Sequence, residues 1–156
     1  MHESRTAQIG IILFVASVGF AFLWWLSAGA MFLSWFWDKQ ISALFYAILM
    51  ASPSVALAVA GCWFYVSGRK AFWKSNLKQK RLLAFLGLAL MFLGGIFGAF
   101  YWAMAVYRAN LLQPVGGDPL IRYLSSNSPY FILFALWIMS GLLVFADAVE
   151  TFFSKT

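Results

Sequence analysis

Histidine and cysteine are almost missing from this chain, with His2 and Cys62 the sole examples. One histidine near a terminus excludes a haem held between two histidines of the same chain. It equally excludes a histidine-rich metal site. One cysteine excludes an internal disulfide, a CxxC redox pair and an all-cysteine metal cage. Charge is scarce too: 10% of residues are charged, against about 25% in a soluble domain, so a water-facing surface cannot be built. No Ser-His-Asp set, HExxH or Walker A pattern occurs. These absences argue against an enzyme, and no cofactor or metal is expected.

What the chain has instead is apolar length. Four stretches, about 7–34, 41–67, 82–107 and 129–153, fill most of its 156 residues. Each exceeds the about 20 helical residues needed to cross a hydrocarbon core of about 30 Å. Hydrophobic residues make up 63% of the chain and mean hydropathy is +0.84. The expected fold is all-α, an integral membrane bundle of four transmembrane helices forming a single membrane domain over 1–156. The first apolar run is longer than the 7–15 residues of a secretory signal's core. It is read as an uncleaved span, although Arg5 and Ala28-Gly29-Ala30 imitate signal-peptide features.

Net charge is +6, and its placement sets orientation. The second connection, 68–81, carries Arg69, Lys70, Lys74, Lys78, Lys80 and Arg81 and no acid. Short basic loops stay in the cytoplasm. Both termini are then expected there as well, with Arg5 and Lys155 in agreement. A bacterial cytoplasmic membrane is the expected location. At membrane edges such charge addresses anionic headgroups, not nucleic acid.

Five features stand out along the spans. Phe72, Trp73 and Leu77 fall on one side of a helix among lysines, a pattern that predicts a short helix lying in the headgroup layer. Its expected role is lipid anchoring, the alternative being docking of an acidic cytosolic partner at 68–81. Asp147 and Glu150, three residues apart, share a helical face near the inner edge of the last span. A charge there needs water or a partner, and Arg69, Lys70, Lys80 and Arg81 are expected at that depth. Pro53 between Ser52 and Ser54 predicts a kink in span two. Gly87, Gly94, Gly95 and Gly98 make a small-residue stripe on span three, with Gly94-x-x-x-Gly98 as the expected groove for another helix. In the third connection Gly116-Gly117 predicts a turn, and Asp118-Pro119 and Ser128-Pro129 predict helix starts.

Tryptophan and tyrosine collect at the span ends, with Trp35, Trp37, Trp102, Tyr107 and Tyr130 at one boundary and Trp63, Tyr65 and Trp73 at the other. Such rings suit the headgroup zone. A faint repeat pairs 13–24 with 91–102, matching Phe14 to Phe92, Ala21 to Ala99 and Trp24 to Trp102.

The spans carry no titratable residue in their middles, and such residues usually mark pumps, relays and ligand sites. The expected function is therefore a non-enzymatic membrane subunit of a larger complex, acting in assembly, helix packing and tethering of lipids or partners. The alternative is a small dimeric transporter or channel, its path lined by Ser17, Ser27, Ser52, Ser54 and Ser140. A lipid-acting enzyme built on Asp147 and Glu150 ranks last, because neither has a nucleophile or metal beside it in the sequence.

Overall fold

Unbroken helix-forming apolar sequence, punctuated only at the connections, yields five helices in the computed structural model. It describes residues 2–37, 43–75, 79–111 and 119–153. In chain order these are α1 (His2–Trp37), α2 (Ala43–Ser75), α3 (Lys80–Leu111), α4 (Pro119–Ser126) and α5 (Ser128–Phe153). Four of them, α1, α2, α3 and α5, are long and apolar enough to cross a membrane. The 33 residues of α2 span about 50 Å, so its end overhangs the hydrocarbon or the helix tilts. The helix runs through Pro53 without interruption.

The bundle is two antiparallel hairpins. α1 packs along α2, α3 along α5, and α2 against α5 joins them. Each hairpin closes where backbones touch through glycine. A Cβ on Gly10 would sit 2.5 Å from the Tyr65 nitrogen, and one on Gly61 would sit 2.8 Å from the Phe14 ring. In the second hairpin a Cβ on Gly87 would lie 2.7 Å from the Gly141 carbonyl oxygen, and one on Gly141 would collide with the Gly87 carbonyl. Between apolar helices in lipid, close van der Waals fit replaces the hydrophobic drive, and small residues permit it.

Small residues sit inside and many large ones outside. Ala7, Ala21, Ala47, Ala51, Ala58, Ala105 and Ala148 are buried, whereas Leu26, Trp63, Phe85, Phe92 and Phe153 are strongly exposed. So continuous an apolar surface is rare on a soluble monomer. It is what lipid tails require.

Two clusters fill the interior. One groups Ala7, Phe14, Tyr65, Phe72, Trp73, Leu83, Leu90, Val144 and Ala148, at the end where α2 leads to α3; we call this the basic end. The other groups Ala21, Ala47, Met50, Tyr130, Leu133, Phe134 and Trp137, toward α4. There α4 packs on α3, with the Arg108 guanidinium 5.5 Å from the centre of the Tyr123 ring. Asn127 turns the chain from α4 into α5: its amide donates to the Tyr123 carbonyl, and its own carbonyl accepts from Tyr130. The Ser128 hydroxyl bonds back to the Ser125 carbonyl at 2.9 Å, so it closes α4 instead of capping α5. Gly116, Gly117 and Asp118 lie outside the described residues.

Several sequence expectations change here. Among the described residues of 68–81 no separate headgroup-layer helix forms, and Leu77 lies outside the described residues. Described residues up to Ser75 continue α2, and Phe72 and Trp73 turn inward, nearly buried. No proline follows Pro53 in α2, and the helix continues through buried Gly68 to Ser75. Tyr65 is likewise a core residue and not a belt ring, whereas Trp63 is 75% exposed. The stripe on α3 is also shifted. Gly87 and Gly94 meet α5, but a Cβ on Gly95 would meet nothing, and one on Gly98 would reach Phe134 only at 4.0 Å. Seven residues make two turns, so Gly87 and Gly94 share the face that α5 covers. The repeat fails by environment: Phe14 is buried where Phe92 is 66% exposed.

Candidate functional site

At the basic end the last two turns of α2 lie against the last two turns of α5. A hydrogen-bonded chain crosses this contact. The Trp73 indole Nε1 donates to the Tyr65 hydroxyl at 3.0 Å. That hydroxyl donates to Asp147 Oδ2 at 2.8 Å. The second carboxylate oxygen faces the Arg69 guanidinium at 3.4 Å. Tyr65, Arg69 and Trp73 recur every four residues, so they form one ridge of α2 aimed at α5. Asp147 is only 13% exposed, and a carboxylate that dry requires such partners. Sequence spacing placed Arg69 at the depth of Asp147. It did not reveal Tyr65 or Trp73 as partners, because nothing local links residues 82 positions apart.

Above this chain opens a depression of about 510 Å³, lined by Arg69, Lys70, Trp73, Lys74, Asp147, Glu150 and Thr151. Three cationic side chains face two carboxylates. Glu150 forms no ion pair with a described residue. Among the remaining predicted basic residues, Lys80 places its ammonium 4.2 Å from the centre of the Phe152 ring, and Arg81 is exposed on the first turn of α3. Lys78 lies outside the described residues. The sequence-predicted set thus divides: Arg69, Lys70, Trp73, Lys74, Asp147 and Glu150 come together, Phe72 packs in the core, and Lys80 and Arg81 stay apart from the depression.

A second polar group lies within the bundle. Trp137 Nε1 donates to the Ser17 hydroxyl at 3.0 Å, and Ser17 donates to the Ser54 carbonyl at 2.7 Å. Nearby, between α2 and α5, Cys62 Sγ and Ser140 Oγ approach to 3.3 Å. Ser17, Ser54 and Ser140 are all buried. Ser17 thereby ties α1, α2 and α5 together at one level, and its hydroxyl is committed to packing. Ser52 faces outward, and the Ser27 side chain lies outside the described residues. Among the described serines named for a path, Ser17, Ser54 and Ser140 are thus interior and Ser52 is on the outside.

Toward α4 the interior is a mass of rings. Phe97 and Phe134 stack at 5.8 Å, Tyr101 and Tyr130 approach to 5.1 Å, and Trp25 meets Phe97, Tyr130, Phe134 and Trp137 at 6.0–6.4 Å. Fold and site together define a polytopic helical membrane protein with a charged depression at one bundle end. No protein-family model matches the chain, and no curated protein or solved structure matches it either.

Proposed function

We propose that this chain is a non-enzymatic integral membrane subunit that works within a larger membrane complex through packing and through tethering at its basic end. The observation that carries this reading is the division of labour between inside and outside. The Ser17 hydroxyl and the ring donors of Trp137, Tyr65 and Trp73 are spent on holding helices together, while the buried Ser54 hydroxyl has no partner among the described residues. The exterior offers large exposed rings, among them Phe85, Phe92 and Phe100 on α3. Rings of that size supply contact area without polar partners. The basic end lies in the cytoplasm in this reading, with both termini, and the membrane is the bacterial cytoplasmic one. Excess arginine and lysine on the α2–α3 connection supports that orientation.

Extraction in a mild detergent followed by size separation and mass spectrometry tests the assignment. A defined particle containing other membrane proteins is expected. A homodimer that catalyses solute flux in liposomes overturns it in favour of a transporter. A reporter active only outside the cytoplasm, attached at Asn76, is expected to be silent.

A further inference from the structure

We infer that the depression between the ends of α2 and α5 is a binding site for the headgroup of a phospholipid bearing a primary ammonium, a zwitterion with one phosphate and one amine. This rests on the tethering role proposed above and specifies what is held.

The charge pattern comes first. An all-basic pocket would select any anion. Here Lys70 and Lys74 face Glu150 across one opening of about 510 Å³, well within the range of small-molecule sites. Asp147 is already held by the Tyr65 hydroxyl and by one Arg69 nitrogen. That leaves two ammonium groups, the rest of the Arg69 guanidinium and one carboxylate to meet a ligand. A phosphate satisfies the lysines, and an ammonium with N–H donors satisfies Glu150. A glycerol headgroup offers Glu150 no cation. A choline headgroup offers it no N–H donor.

The surroundings identify the ligand as a lipid and not a free phosphate. On α2 the exposed side chains Val59, Trp63, Val66, Lys70 and Lys74 are spaced by four, three, four and four residues. They form one stripe that is apolar along its length and cationic at its end. On α5 Met139 and Leu142 precede Glu150 on the exposed side in the same order, apolar and then charged. Acyl chains lying along these stripes deliver the headgroup to the depression. Trp63, 75% exposed and seven residues before Lys70, sits at the depth where chain meets headgroup.

The test uses the purified full chain in nanodiscs of equal ethanolamine, choline and glycerol phospholipids, with retained lipid identified by native mass spectrometry. Preferential retention of the ethanolamine lipid is expected. Lys70→Gln and Lys74→Gln are each expected to weaken retention of every phospholipid about fivefold. Glu150→Gln is expected to abolish the ethanolamine preference and leave total retention close to unchanged. All three side chains lie at an exposed rim, and circular dichroism of each variant is expected to match the parent. Equal retention of the three lipids, or a preference that survives Glu150→Gln, overturns the inference. So does displacement of the bound lipid by inorganic phosphate alone at equal concentration, which would make the site one for a free anion. Because the isolated chain is measured, this result is independent of whether a multi-protein particle is found. The headgroup site can fail while the subunit assignment stands, and the reverse.

Discussion

The two ends of the bundle interior are built from the same kinds of ring and use them in opposite ways. At the basic end Tyr65 and Trp73 present their polar edges to one another and to Asp147. Toward α4, Trp25, Phe97, Tyr101, Tyr130 and Phe134 meet edge-on, tilted or stacked, and the Trp25 Nε1 is buried with no acceptor among the described residues. The first end spends aromatic polarity on stabilising a charge close to the headgroups. The second spends aromatic volume on filling space between helices. An aromatic residue count is blind to this difference, since it depends on whether a carboxylate comes within reach. The consequence is that the basic end should suffer from loss of a single polar atom, and the ring-filled end from loss of volume.

A glycine seam closes each hairpin beneath both ends, so the largest effect should come from such a seam. Gly141→Leu is expected to abolish the folded bundle, because even a Cβ there collides with the Gly87 carbonyl, and backbone cannot move aside as a flexible side chain can. Gly141→Ala should cost about 1–3 kcal/mol, the usual range for overpacking. Gly95→Leu is the control. Its Cβ would meet nothing within 4 Å, and no loss is expected, since Leu is the better helix former by about 0.5–1 kcal/mol. Unfolding in mixed detergent, followed by circular dichroism, measures all three. Equal losses at Gly141 and Gly95 would deny the seam.

The seam also shows where sequence reasoning reached and where it stopped. Four helices were legible because hydropathy is a property of each segment alone. That small residues on span three serve packing was legible for the same reason. Which of them do so was not, since the answer depends on where α5 lies, and it selects Gly87 and Gly94 over Gly95 and Gly98. Gly10, Gly61 and Gly141 carried no local motif at all. In the site, charge pattern alone brought Lys70, Lys74 and Glu150 to notice, because basic residues near a lone acidic pair are conspicuous in so apolar a chain. Tyr65, Trp73 and Ser17 passed unnoticed as partners. Each is one of many similar residues, and only tertiary contact, 120 positions apart for Ser17 and Trp137, singles it out.

Within the ring-filled end, Phe134→Ala should be the most damaging truncation. Phe134 is almost fully buried and touches the rings of Trp25, Phe97, Tyr101 and Trp137. Lipid is as apolar as the core, so the transfer part of the loss is small and the cavity part remains. At about 24 cal/mol per Å³, a void of roughly 100 Å³ costs about 2–3 kcal/mol. Tyr65→Phe is the matching change at the basic end. It keeps the volume and removes one oxygen, leaving Trp73 Nε1 without its acceptor and Asp147 Oδ2 without its donor. An unsatisfied buried polar group costs about 1–3 kcal/mol. Water at the mouth of the depression can still reach Asp147, so the lower part of that range, about 1 kcal/mol, is expected. Unfolding free energies of the two variants in one detergent mixture compare them directly.

The smallest effect sharpens the contrast most. Trp25→Phe removes a polar atom from the ring-filled end, as Tyr65→Phe does from the basic one. Here the removed group is a donor already without an acceptor, and burying it unpaired is a standing cost. Some ring contact with Phe97 and Tyr130 is lost as well, and each such pair is worth about 0.5–1.5 kcal/mol beyond its area. The phenyl ring retains part of those contacts, so relief and loss are of similar size. A net change within about 1 kcal/mol is expected, measured in the same unfolding assay. A loss larger than that of Tyr65→Phe would mean that the ring volume removed with the indole outweighs relief of its unpaired nitrogen, so that volume governs this end even when a polar atom is the one deleted.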